Sequence, residues 1–397
     1  MRFEIEGKAF KDYMDRAMAV VKPGSVFAYM ESVEIVANED GVFLKAGSDK
    51  SAVVIRMGAA MIECGSAYIH ISDIKRIYNM TGYVTIETIG NRIVIRNEKK
   101  KSDVRALTFD DTQPFYSKMN INGELFRVNC DNFLNMLSVT DAAREQNDNA
   151  LRPIMTGFNI NGAEGRVIAC DGFRMHAAKL DVTDENPELF FKYKRTICGL
   201  AYSQLKKIMK HSIGVAMTAY DYDGCMKLAG GDFDYYVRYL DGEYPDVYNQ
   251  VFKPVVKGQQ YAYTLDVKEL QSVAKEYVRM RPGRDENVMY LLCKDSEMVS
   301  AFASDNYRTA DYLSGVKDMC KVENGHMIGL NPEFVSDAMS ALAECTAHAK
   351  VFGQYVDVDG SNIKPMGVSH DTIDMLLLPV RAIAERVKNI REFVCAM

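Results

Sequence analysis

Phe126-Arg127-Val128-Asn129-Cys130-Asp131-Asn132-Phe133-Leu134-Asn135-Met136-Leu137 is the stretch on which the fold turns. Phe126 and Val128 stand two residues apart, the spacing of one strand face. Phe133 and Leu137 stand four apart, the spacing of one helix face. The period changes within twelve residues, so a strand runs directly into a helix. The same change occurs upstream, at Phe3 and Ile5 followed by Phe10 and Met14. It occurs again downstream, at Tyr263 and Leu265 followed by Leu270 and Ala274. In every copy the second pair begins seven residues after the first.

Two further anchors follow each opening. One is a strand ending in a small residue and an aspartate: Ala46 with Asp49, Ala169 with Asp171, Ala303 with Asp305. The other is a second helix, beginning near Ser72, Ser203 and Asn331, all good helix-capping residues. The openings lie 123 and 137 residues apart. Three anchors in one order predict an α+β chain of three similar domains, each with two helices packed on antiparallel sheets. The domains are placed at 1–120, 121–257 and 258–397, with an extra C-terminal helix over 383–397. Turns are expected at Asn38-Glu39-Asp40-Gly41, Asp223-Gly224 and Asp359-Gly360, and a solvated hairpin turn at Lys99-Lys100-Lys101.

Composition narrows the function. The 397 residues carry a net charge of −6, which disfavours a protein that grips nucleic acid over its whole surface. The nine cysteines never form C-x-x-C, and the six histidines lack metal spacing, so neither a disulfide framework, a metal nor a cofactor is expected. No apolar run reaches about 18 residues, and the N-terminus lacks an apolar signal core. A cytoplasmic protein with no membrane partner is the expectation. Phosphate-binding loops, G-x-S-x-G and H-E-x-x-H are all missing, so no catalytic residue is assigned. Asp171 and Asp305 occupy equivalent places in two copies, which fits a structural turn better than an active site.

Arg152-Pro153-Ile154-Met155-Thr156-Gly157, Cys170-Asp171-Gly172-Phe173-Arg174-Met175, Leu240-Asp241-Gly242-Glu243-Tyr244-Pro245-Asp246 and Leu376-Leu377-Leu378-Pro379-Val380-Arg381 together resemble the bacterial DNA sliding clamp, the beta subunit of DNA polymerase III. The resemblance runs from Met1 to Arg381. It implies a head-to-tail homodimer whose domains form a ring, with helices facing sequence-nonspecific double-stranded DNA. It also implies a DNA polymerase and a clamp loader as partners, bound through short linear peptides. A three-domain scaffold that does not load on DNA, or an enzyme with an unrecognised site, are the alternatives.

The resemblance places the partner-peptide pocket at Met155, Cys170, Gly172, Phe173, Arg174, Met175, Pro245, Asn331, Phe334, Ile363, Pro365, Leu376, Leu378, Pro379, Val380 and Arg381. Met155 and Met175 add adaptability, and Arg174, Asn331 and Arg381 are polar handles. Phe173 stands where a histidine is common in the family, and no arginines follow Pro245-Asp246, so the peptide motif is open. The DNA-facing candidates are Lys8, Lys11, Arg16, Lys22, Lys75, Arg76, Lys206, Lys207, Lys210, Lys275, Arg279, Arg281 and Arg284. The six expected helix spans, 8–18, 72–80, 131–145, 203–212, 266–281 and 332–345, sum to +1, against −7 for the remainder. Ring closure is expected at a sheet edge around Val104, Ala106 and Thr108, meeting residues near 275–300 of a second copy. The tail beyond Arg381 departs from the family. Ile383, Val387, Ile390 and Val394 make one apolar helix face, expected either beside the pocket or over another part of the sheet.

Overall fold

The computed structural model describes residues 1–77, 79–109, 114–147, 151–280, 288–303, 307–355, 364–381 and 384–397. The chain divides into two compact units. The first is Met1–Asn135 with Gly162–Glu164 and Asp181–Asp241; the second is Met136–Asn161, Gly165–Leu180 and Gly242–Met397. The segment 121–257 therefore contributes to both units.

In the first unit the opening strand Arg2–Glu6 runs into helix Gly7–Ala17. Phe3, Ile5, Phe10 and Met14 are all 2% exposed or less, as their spacing requires. Gly7 joins the two elements because nothing larger fits: a Cβ there would lie 2.2 Å from the Met80 carbonyl oxygen. One antiparallel sheet runs Ala60–Glu63, Arg2–Glu6, Tyr83–Ile89, Arg92–Arg96, Lys101–Arg105. The last of these pairs on one side only. A second, nine-stranded sheet joins segments far apart in sequence. At its centre the strand Phe233–Arg238 lies antiparallel to Ser51–Met57, with Tyr235 opposite Val53.

The second unit repeats this plan. Strand Tyr261–Asp266 runs into helix Val267–Arg279, capped by the Asp266 carboxylate accepting from the Glu269 N–H at 2.8 Å. Asn331 caps helix Pro332–Ala343 in the same way, accepting from the Glu333 N–H at 2.9 Å. Here the inter-segment pairing is Arg174–Lys179 with Ile373–Leu377, with His176 opposite Met375. A four-stranded sheet runs Arg308–Tyr312, Glu297–Ala303, Met289–Lys294, Met327–Leu330.

At this sheet one expectation changes and one pair of alternatives is decided. The described strands within 275–300 supply no free edge. Among the described residues Met289–Lys294 and Glu297–Ala303 are each paired on both sides; the outer strands are Arg308–Tyr312 and Met327–Leu330, and Gly329 of the latter accepts from the Val380 N–H. The tail helix Ala384–Cys395 covers this sheet. Ile390 and Val394 are fully buried against Tyr290, Leu292, Val299, Ala301 and Met327, and none of the pocket residues belongs to that cluster. The cause is readable in the strand. Met289-Tyr290-Leu291-Leu292-Cys293 is apolar without alternation, so both faces need cover. Ile383 lies outside the described residues, as does the Asp359-Gly360 turn.

Candidate partner pocket and basic helices

The pocket residues converge within the second unit. Met155, Cys170, Met175 and Leu376 share one apolar cluster with Tyr244, Tyr248 and Phe252. The turn Pro153–Thr156 presents Met155, and the strand ends at Cys170 and Arg174 bring the loop between them alongside. Asp171 fixes that loop: its Oδ1 accepts from the N–H of Phe173 at 2.9 Å and of Arg174 at 3.0 Å. Gly172, at φ +94°, takes the left-handed turn that follows. The Cys170 N–H donates to the Tyr244 hydroxyl oxygen at 2.7 Å, anchoring the segment before Pro245. Burial holds the Tyr244 phenol well above its ordinary range, so it stays neutral.

Depth separates these residues into two kinds. Met175 and Cys170 are 0% and 1% exposed, so they support the pocket from beneath. Phe173 is 60% exposed, with its ring 6.3 Å from that of Phe334. The Leu378 N–H donates to the Phe173 carbonyl at 2.8 Å, and Leu378 is half-buried. Pro365 is half-buried, Pro379 is buried, and Pro245 and Arg381 are exposed. Val380 is half-buried and donates its N–H to the Gly329 carbonyl. Ile363 lies outside the described residues.

Two of the three polar handles are already engaged. Arg174 pairs with Asp171 at 3.0 Å and Asp337 at 2.6 Å, and its guanidinium lies 4.3 Å from the Phe334 ring centre. Asn331 is the helix cap. Arg174 thus orients Phe334 more directly than it offers itself to a ligand. Asp337, one turn into the helix, was not anticipated, because nothing local in the sequence pairs it with Arg174.

The basic candidates also divide. In the first unit Lys8, Lys75, Arg76, Lys206, Lys207 and Lys210 are exposed. Lys11 pairs with Asp15, Lys22 with Asp49, and Arg76 with Asp73. Arg16 corrects the expectation: it is 4% exposed and bound to Asp232, so it faces the protein interior. In the second unit Lys275 and Arg279 are exposed on helix Val267–Arg279. Arg281 and Arg284, like Asp305, lie outside the described residues. At the proposed closing edge Val104 is buried, Ala106 donates its N–H to the Asn91 carbonyl at 2.8 Å, and Thr108 is exposed.

Among the described residues no helix is long and apolar enough to cross a membrane. All nine cysteines are free thiols. No protein-family model matches the sequence, and no curated protein does. Solved structures do match. The chain is similar to the DNA polymerase beta subunit of Streptococcus pyogenes, at 13% identity and a TM-score of 0.82, over 96% of this chain and 100% of that one. It is similar to the DNA polymerase sliding clamp of Bacillus subtilis, at 18% identity and a TM-score of 0.80, over 96% and 99%. The DNA polymerase III beta subunit of Pseudomonas aeruginosa gives 13% identity and a TM-score of 0.80, over 96% and 100%. At such identities the likeness is one of fold, and it spans nearly the whole sequence: the chain has the fold of the bacterial DNA sliding clamp, the beta subunit of DNA polymerase III.

Proposed function

We propose that this protein is a sliding clamp, a non-enzymatic ring that encircles duplex DNA and tethers a polymerase and its loader through short peptides. One observation carries the reading: the pattern of used and unused sheet edges. In each unit the last strand of one repeat pairs with an early strand of the repeat before it, Phe233–Arg238 with Ser51–Met57 and Ile373–Leu377 with Arg174–Lys179. Two equivalents are left over, Lys101–Arg105 in the first repeat and Arg308–Tyr312 in the third. They are the two halves of a third junction of the same kind. A second copy joined head to tail uses both, and a closed ring of two chains removes every such edge. The three domains are then 1–120, 121–257 and 258–397.

Exposed lysines at 206, 207 and 210 suit weak, sequence-blind phosphate contact, the kind that permits sliding. Phe173 and Leu378 suit the rim of a peptide groove. A cytoplasmic site of action follows from the DNA partner. A scaffold that never loads on DNA is the competing reading, and the edges alone do not favour it.

Solution mass tests the junction. The intact chain is expected near twice its 44.7 kDa. The inward bond from Ala106 to Asn91 puts the N–H groups of Arg105 and Asp103 on the outer side of their strand. Asp103→Pro with Arg105→Pro removes two outward donors and is expected to give a folded monomer. A dimer that survives this change contradicts the junction. Val104→Asp is the wrong test, because Val104 is buried in its own sheet and a charge there unfolds the unit.

A further inference from the structure

Beside the strand junction of the first unit lies a cavity of about 230 Å³ that the clamp reading does not use. The short turn Ala28–Glu31 and the strands Ser32–Asn38 and Gly41–Gly47 form one wall, and Phe115 and Tyr116 form another. Tyr116 lies flat on Tyr236, with ring centres 3.8 Å apart and planes within 4°. The Arg238 guanidinium lies 4.5 Å from the Phe115 ring centre, and its Nε is buried with no hydrogen-bond partner among the described residues. Arg238 lines the cavity, and a cation there can bind a carboxylate.

The charge of the lining favours an anion. Lys45 and Arg238 are the cations. Of the two carboxylates, Asp49 is held by Lys22 at 3.0 Å and Glu34 stands opposite Lys45, so among the described residues Arg238 is the lining cation with no carboxylate ion pair. The cavity is smaller than the roughly 300–1,000 Å³ that encloses a whole small ligand, so it suits the end of one or two side chains. Its framework is that of the partner pocket, one repeat earlier. Met30 on the turn Ala28–Glu31 stands as Met155 does on Pro153–Thr156, each beside an inter-segment strand pair.

We propose that this cavity is a second linear-peptide site, one that seats a large apolar side chain next to a carboxylate bound by Arg238. The choice of a peptide rests on the partner pocket being a peptide site; the cavity and the Arg238 cation in its wall do not.

Methionine-methyl NMR on the full chain tests it, because Met30 reports on the cavity and Met155 on the partner pocket. The probes are four capped peptides, Gly-Glu-Xaa-Ser-Gly with Xaa as Phe, Leu, Met or Tyr, and their Glu→Gln counterparts. At least one acidic peptide is expected to shift Met30, and its Gln counterpart to bind at least fivefold more weakly. Arg238→Gln is expected to weaken binding by a similar factor, with the methyl signals remote from the cavity unchanged. Tyr116→Ala gives a second variant if Arg238→Gln disturbs the fold. A Met30 signal unmoved by millimolar peptide overturns the proposal, and so does equal binding by wild type and both variants. Movement of Met155 alone overturns the second site and leaves the first. Movement of Met30 alone supports the second site and shows that it takes peptides the partner pocket does not.

Discussion

Both carboxylate oxygens of Asp232 accept from Arg16, Oδ2 from Nη1 at 2.7 Å and Oδ1 from Nη2 at 2.5 Å. The third nitrogen of the fork, Nε, gives its hydrogen to the Ile208 carbonyl at 2.8 Å. One side chain thus ties the helix Gly7–Ala17 to the end of the helix Leu200–Ile208 and to the turn at Asp232. Only arginine offers this planar set of donors.

Arg16→Met is therefore expected to lower stability by about 2 kcal/mol, since it strands a carboxylate and a carbonyl. The figure sits low in the range because the Asp232 side chain is 36% exposed. The salt dependence of duplex binding should not change. Lys206→Gln with Lys207→Gln should do the opposite, reducing the slope of log K against log salt by about 1.8 and leaving the melting temperature alone. Thermal melts and a salt titration check both. A slope altered by Arg16→Met but not by the lysine pair would reverse the assignment.

At the partner pocket the exposed rim and the buried floor should respond differently. Phe173→Ala with Leu378→Ala removes apolar surface that a ligand can touch, and is expected to weaken a clamp-binding peptide by tenfold or more. The dimer mass should not change. Met175→Ala instead leaves a hole in a closed core, with a stability loss of about 2–5 kcal/mol. Peptide titration and denaturant unfolding separate the two outcomes. Unchanged peptide affinity in the rim variant would remove the pocket from this surface.

The tail is expected to be structural. Deleting 384–397 strips cover from Tyr290, Leu292, Val299 and Ala301 and removes the buried Ile390 and Val394. Each of those two side chains contributes about 1.5–3 kcal/mol when buried. The truncated chain should melt earlier and bind a hydrophobic dye, with peptide affinity unchanged. A rise in peptide affinity without loss of stability would instead make the tail a competitor for the pocket.

Local periodicity made the skeleton readable. Phe126, Val128, Phe133 and Leu137 are all fully buried, and so, to within 2%, are their counterparts in the other two copies. Partners distant in sequence were not readable. Arg16 looks like any helix lysine or arginine until Asp232, 216 residues later, is brought against it. Arg174 and Asp337 are the same case, 163 residues apart. Depth within the pocket was hidden too, since Met155, Met175 and Phe173 are equally apolar but differently exposed. The seat of the tail did carry a signal. The unbroken apolar run Met289–Cys293 asks for cover on both faces of its sheet, and the tail helix supplies it.

Retention on DNA of defined topology tests the central claim most directly. The labelled chain, placed on a nicked circular duplex by a loader and ATP, is followed by gel filtration before and after the circle is cut once. A ring held by topology is expected to co-elute with the intact circle and to run off once the DNA is linear. Equal retention on circular and linear DNA, or no retention on either, would contradict the account.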